Sequence, residues 1–569
     1  MLRIFFPILL ILLLANGNVS ARSPDIPPVQ SVTARHGMVA AQEAIAARVG
    51  ADILKAGGNA VDAAVATGFA MAVTYPRAGN IGGGGFMVIH LARGKRNIAI
   101  DYRETAPAAI SRDSFLDARG EADPEKSRIN GLAVGVPGTV AGLALAHRKY
   151  GSGKFTLAQL IAPSIALARD GFILDGDVAD TLHSARRLFA RWSSSAKIFM
   201  KANGETLGAG DRLVQSDLAA TLDAIAQKGP RAFYEGPVSE KLAAAVRRAG
   251  GVMTADDLKA YRAVERTPVT GTYRGYRIVS MPPPSSGGVH LIEILNILEG
   301  YNLRKLGAGT PETAHIVVEA MKRAYADRAV YLGDPDFVKV PVQALTSKRY
   351  AARLRKSIQP RATPSAEISN GNPLKPEGEN TTHYSVADRF GNAVSNTYTL
   401  NLSYGNGLVA DGTGVLLNNE MDDFAAKPGA PNAFGLVGAD ANAPAAGKRP
   451  LSSMTPTIVL KNGKPFLITG SPGGSRIITT TLQVILNVID HGMTLADAVA
   501  APRLHHQWLP DQVVIEPGWP QATLDALRAR GHIIEPRPPG TAANSILVTS
   551  KGVIGAADSR TRGALAAGY

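Results

Sequence analysis

The chain has 569 residues, with 61 Lys and Arg against 47 Asp and Glu, a formal net charge of +14, and no cysteine. Without thiols there are no disulfides, thiol nucleophiles or thiolate-bound metals, and the 11 histidines form no HExxH or similar cluster, so neither a metal nor another cofactor is implied. Residues 381–569 are close to neutral, so the excess charge lies upstream, where it is scattered; a nucleic-acid partner would call for basic runs interleaved with aromatics, and none is indicated.

Residues 1–21 read as a secretory leader. Arg3 precedes an apolar run over 4–15, and small residues follow, ending Val19-Ser20-Ala21. The run falls short of the ~20 apolar residues that span a bilayer comfortably. We therefore expect cleavage near Ala21, no membrane span in the mature chain, and export to the periplasm or the medium. The length that remains would by itself suggest two to four domains.

Further along, 41–56 carries Ile45, Val49 and Ile53 on one helical face, and Gly57-Gly58 ends it. Asn59 can cap a second helix to about Val73. Residues 86–91 and 97–102 predict a hairpin across Arg93-Gly94-Lys95. From about 130 to 360 the pattern is mainly helical, with no internal repeat. Residues 364–380, PSAEISNGNPLKPEGEN, are rich in Pro, Gly, Asn and Glu and predict an exposed loop. Strands then dominate: 384–387 and 393–400 flank a turn at 388–392, and 455–461 pairs with 465–469 about Asn462-Gly463. Gly470-Ser471-Pro472-Gly473-Gly474-Ser475 leads into a helix over 476–489. Strands between helical blocks point to a layered α/β sandwich.

Several motifs carry no chemistry. Gly82-Gly83-Gly84-Gly85 lacks the Gly-Lys-Ser/Thr of a phosphate loop and reads as a close backbone approach. Ser194-Ser195-Ala196-Lys197 matches SxxK without its Lys-Thr-Gly or Ser-Asp-Asn partners. Pro284-Ser285-Ser286-Gly287-Gly288 reads as a structural loop. One stretch is different. A soft loop ends at Asn380 and a strand begins at Thr381. A threonine hydroxyl needs a base, and when threonine is the first residue its own α-amine, with a pKa near ~8, can serve. Centring the turn on Phe390 pairs residues whose numbers sum to 780, setting Thr399 beside Thr381. The Gly-rich loop ahead of a helix can aim backbone N–H groups at an anion.

These residues carry a resemblance. Asn380 to Val386, Asn418 to Phe424, Pro450 to Met454 and Gly470 to Arg476 are very similar to γ-glutamyltransferase (γ-glutamyl transpeptidase), as are Gly82 to Phe86, Tyr102-Arg103-Glu104 and Pro284 to Gly288 upstream. The resemblance implies a four-layer αββα sandwich of the N-terminal-nucleophile type. It also implies self-cleavage between Asn380 and Thr381 into a large subunit (22–380) and a small catalytic subunit (381–569) that stay entwined as a heterodimer, one unit rather than several domains.

By the same resemblance Thr381 is nucleophile and, through its amine, base, with Thr399 supporting it. Gly473 and Gly474 supply oxyanion-hole amides. Arg103, Ser452 and Ser453 hold the substrate α-carboxylate, and Asn401, Glu420 and Asp423 receive its α-amino group. The donor would be glutathione or a related γ-glutamyl compound, and the acceptor water, an amino acid or a dipeptide. Many bacterial members have a lid tyrosine where this chain has Phe434. The nearest competing reading is a cephalosporin (glutaryl) acylase of the same fold, which Asp423 opposes because a glutaryl group has no amine. A non-catalytic exported binding protein and a penicillin-type serine hydrolase built on Ser194 are more distant alternatives.

Overall fold

The computed structural model describes residues 26–368 and 381–569. The expected leader, Asn380 and most of the loop expected at 364–380 lie outside those residues. Two seven-stranded sheets form the centre. In chain order their strands are β1 Ser31–Ala34, β2 Met38–Ala41, β3 Gly84–Leu91, β4 Arg96–Tyr102, β5 Val264–Arg266, β6 Val269–Tyr273, β7 Tyr276–Ser280, β8 Thr382–Ala387, β9 Ala393–Thr399, β10 Thr457–Lys461, β11 Lys464–Thr469, β12 Ser545–Thr549, β13 Gly552–Ala556 and β14 Leu565–Gly568. One sheet runs β14-β2-β8-β9-β3-β4-β5 and the other β1-β13-β12-β11-β10-β7-β6, so both combine strands from before and after position 380.

Apolar side chains of both sheets, among them Met38, Phe86, Val88, Ile458, Ile468 and Ile546, fill the space between them. Helices cover the outer faces. α1 (Ala44–Lys55) and α2 (Ala60–Thr74) pack on the first sheet; α3 (Gly287–Leu298), α4 (Pro311–Tyr331) and α5 (Ile477–Ile489) pack on the second. Both faces of each sheet are thus buried, which is why β8 and β9 have no exposed residue.

Local chemistry accounts for the ends of these elements. Asn59 caps α2 reciprocally with Asp62, as a capping box. Asp388 Oδ1 accepts from the amides of Phe390 and Asn392 at 2.8 and 2.9 Å, and Oδ2 accepts from Ala60 N at 2.8 Å, tying the β8–β9 turn to the start of α2. The pairs run from Thr382↔Tyr398 to Ala387↔Ala393, the expected register.

Four expectations need correction. Residues 38–41 are a strand, and the helix starts at Ala44 behind the carboxylate of Glu43, which accepts from Ile45 N and Ala46 N. The stretch expected to be mainly helical also supplies β5–β7. Its signal was the two-residue turn Arg274-Gly275, whose φ values of +51° and +83° suit the tight turns that match strand twist. Gly287 and Gly288 belong to the first turn of α3 rather than to a loop. Ser365 is buried rather than exposed, because its hydroxyl donates to Trp508 O at 2.6 Å and its carbonyl accepts from the Trp508 indole at 2.9 Å.

Candidate active site

Thr381 sits one residue before β8, so its side chain shares a face with those of His383 and Ser385, turned away from α2, whose Ala64 carbonyl accepts from Tyr384. The register brings Thr381 Oγ1 to 3.4 Å from Thr399 Oγ1, which in turn accepts from Asn401 N at 2.9 Å. The backbone closes tightly behind Thr399. A side chain on Gly83 would lie 2.1 Å from the Thr399 carbonyl, and Asn80 donates to that carbonyl at 2.8 Å. The glycine run at 82–85 is therefore the close approach the sequence suggested. His383 offers no base to Thr381: its ring nitrogens meet Thr397 and Ser385 hydroxyls at 2.8 and 3.0 Å, and burial pulls its pKa down to about 3.

A small pocket opens beside Thr381. Thr399, Asn401, Arg103, Glu420, Asp423, Ser452, Ser453 and Gly474 line it, with Phe434, Leu436, Met454 and Ile477 as apolar wall. Gly473 stands at φ +122° and Gly474 at φ +54°, two successive left-handed residues before the turn into α5. Of the two, Gly474 reaches the pocket wall, where a side chain would strike Phe434 at 2.3 Å. The 431–435 segment lies over the site: Asn432 Nδ2 donates to Asp423 at 2.8 Å, Ala433 N to Asp422 at 2.8 Å, and Phe434 is buried.

Arg103, directly after β4, is fully buried. Its guanidinium donates to Glu420, to Asp423 at 2.5 Å and, through Nε, to Pro450 O at 3.1 Å. Burial pulls its pKa down, but Glu420, Asp423 and Glu104 more than offset that and hold it above the ordinary value. Burial in turn raises all three carboxylates, Glu104 to about 7, against the pull of Arg103. One guanidinium does not sustain three ionised carboxylates in so dry a place. Asn401 Oδ1 is buried without a hydrogen-bond partner among the described residues, while Glu104 and Glu420, whose carboxyls are raised by burial, lie close enough to share a proton.

Ser452 and Ser453 are held from behind. Ser452 N donates to Pro284 O at 2.9 Å, and Ser286 N donates to Ser452 O at 2.8 Å. Arg328 of α4, 5% exposed, donates through Nε to Ser286 Oγ at 2.9 Å and through Nη2 to Ser453 Oγ at 3.2 Å. The pocket thus unites every site residue expected from sequence except Asn380, outside the described residues, and Gly473, one residue behind the wall. Sequence reading missed Glu104 as a residue with a role of its own, although it stands in a quoted motif. It also missed Arg328, for which an arginine in a long helix gave no signal.

The SxxK match has a structural explanation. Ser194 Oγ donates to Val409 O at 2.7 Å and Ser195 Oγ to Gly407 O at 2.6 Å, pinning a short helix to the 407–409 backbone. Among the described residues no group of His, Asp and Glu is arranged to hold a metal ion, and no helix is long and apolar enough to cross a membrane.

Known proteins place this arrangement. Residues 46–568 match the family model described as γ-glutamyltranspeptidase. The glutathione hydrolase proenzyme of Escherichia coli K12 is 52% identical over 562 residues, covering 97% of this chain and 96% of that protein. The γ-glutamyltranspeptidase of Helicobacter pylori aligns at 49% identity and a TM-score of 0.56, over 57% of this chain and 93% of that one. The cephalosporin acylase of Bacillus halodurans superimposes with a TM-score of 0.84 at 28% identity, over 96% of this chain and 98% of its own. The fold is that of the N-terminal-nucleophile hydrolases, and shape alone does not separate the two activities. The chain belongs to the γ-glutamyltranspeptidase family, self-processing enzymes that transfer or hydrolyse γ-glutamyl groups from an N-terminal nucleophile.

Proposed function

We propose that Thr381 is that nucleophile, freed by cleavage after Asn380, and that the donor is glutathione or a related γ-glutamyl amide. Thr381 Oγ1 attacks the γ-carbonyl while its α-amine takes the hydroxyl proton. The amides of Gly473 and Gly474 meet the developing oxyanion. The amine returns the proton to the departing nitrogen, leaving a γ-glutamyl ester on Thr381. Water, an amino acid or a dipeptide then takes the acyl group. Residues 22–380 and 381–569 become the large and small subunits of one intertwined heterodimer, exported to the periplasm or the medium.

Arg103, Ser452 and Ser453 receive the α-carboxylate, and Asn401, Glu420 and Asp423 the α-ammonium. One observation supports this most. The pocket beside Thr381 holds a buried acceptor without a donor, Asn401 Oδ1, among carboxylates that Arg103 does not fully neutralise. An α-ammonium supplies both hydrogens and charge; a glutaryl group supplies neither.

Asp423→Asn tests the distinction. It keeps the shape and the acceptor toward Arg103 but removes a charge. We expect γ-glutamyl turnover (kcat/KM) to lose roughly 1.5–3 kcal/mol of transition-state stabilisation, while glutaryl turnover holds or rises. A wild-type preference for glutaryl donors, or equal losses on both, would replace this reading with the cephalosporin-acylase one.

Thr399→Ala is expected to slow both self-processing and turnover, each by about 1 kcal/mol or more. The 3.4 Å contact orients Oγ1 of Thr381 in both steps. Wild-type rates of chain cleavage and of anilide release in this variant would remove Thr399 from the machinery.

A further inference from the structure

Arg328 stands where the site has no assigned group, and the hydrogen-bond count around it is informative. A serine hydroxyl has one proton and two lone pairs, and a guanidinium only donates. Arg328 Nη2 gives a hydrogen to Ser453 Oγ, so the hydroxyl's own proton is left for another acceptor, and Ser453 lines the pocket. Arg328 Nε gives a second hydrogen to Ser286 Oγ, whose proton goes to Ser452 O at 2.8 Å, the carbonyl that Ser286 N also meets. One planar fork therefore orients the Ser453 hydroxyl and fixes the backbone at Ser452.

Its charge matters as well. Arg103 is shared between Glu420 and Asp423. Arg328 is also buried, but its side-chain hydrogen bonds go to hydroxyls, and among the described residues it forms no ion pair, although Asp423 lies near enough to act on its charge. Burial draws its pKa down to about 10, which still leaves it cationic near neutrality.

We propose that Arg328 is a positioning residue for donor specificity: its guanidinium turns Ser453 into an obligate donor and adds a positive charge, held in no direct ion pair, that favours an α-carboxylate over a neutral group. This rests on the reading of Arg103, Ser452 and Ser453 as the carboxylate subsite.

The test uses the processed enzyme and two donors, a γ-glutamyl anilide and its α-carboxamide analogue, with kcat and KM measured separately. The ratio of their kcat/KM values is the readout. Arg328→Lys keeps the charge but not the two-pronged geometry. It is expected to lower the ratio roughly tenfold, as for one charge-assisted hydrogen bond, mostly through KM of the carboxylate donor. Ser453→Ala should do the same, and the double variant should lose no more than the larger single loss. A merely structural role for Arg328 would raise KM for both donors alike, and multiplied losses in the double variant would show independent action; either result overturns the proposal.

If Arg328→Lys does not self-process, Ser286→Ala carries the test, since it removes one of the two acceptors holding the fork. A several-fold lower ratio supports the proposal and an unchanged one overturns it. Wild type that uses both donors equally would sink the carboxylate-subsite reading and this inference together. A discriminating wild type whose ratio survives Arg328→Lys would sink the inference alone.

Discussion

Thr381→Ala is expected to stay a single chain and to show no γ-glutamyl transfer, a fall on the order of 10⁴-fold or more. Both losses have one cause. In the proposed mechanism the Thr381 hydroxyl first attacks the carbonyl that precedes it, to release its own amine, and then attacks the donor. Thr381→Ser keeps a hydroxyl and should mature and turn over more slowly. A denaturing gel and the first residues of the smaller band decide the matter: wild type should give a fragment beginning Thr-Thr-His-Tyr-Ser-Val. Cleavage of Thr381→Ala at 380/381 in a protease-free preparation would exclude self-processing by this residue.

Arg103→Ala should have the next largest effect, and the structure changes what to expect of it. Sequence reading alone predicts a raised KM with processing intact. The contacts show Arg103 joining Glu420 and Asp423 in a fully buried cluster. Removing one partner of a buried ion pair costs about 3–5 kcal/mol, so we expect lower stability as well as weak donor binding. The sign with pH follows. Burial already raises the pKa values of Glu420 and Asp423, and without Arg103 they rise further. Groups with raised folded pKa values hold protons that the unfolded chain gives up in the ordinary carboxylate range near ~4. The variant should therefore be least impaired in acid and lose stability as pH rises through the folded values. Urea midpoints of wild type and Arg103→Ala between pH 4.5 and 8 would check this; a constant gap would mean the carboxylates are not left unpaired. Arg103→Lys should recover part of the stability and less of the binding, because a point charge meets one carboxylate well and two poorly.

Much of the proposed nucleophile's setting was legible because it is local. Strand period and turn chemistry set the β8–β9 register from Asp388, Gly391 and Asn392 alone, and with it the pairing of Thr381 with Thr399. The Gly-rich loop before α5 was equally readable, since successive left-handed residues favour glycine. The helix boundary near 41–44 was misplaced because the apolar pattern does not show that Met38–Ala41 pairs with β8 and β14. Of the overlooked strands, β5 has only three residues and shows no period, while β6 and β7 are marked by the Arg274-Gly275 turn between them rather than by any alternation strong enough to stand out among the helices.

Sequence alone, then, determined the kind of chemistry to propose: a threonine proposed as a new N-terminus, the hydroxyl beside it, the glycine loop, and a set of residues whose resemblance named the family. It determined these because hairpin register, turn type and motif spacing depend on neighbours in the chain. Only the tertiary structure decided how the pocket is charged. Arg103 meets Glu420 and Asp423 across more than 300 residues of chain, Arg328 reaches Ser453 across 125, and Asn432 of the covering segment reaches back to Asp423. Whether a buried arginine faces a carboxylate, a hydroxyl or water is set by which layers pack together, and the energy of a buried charge depends on that partner more than on the residue itself.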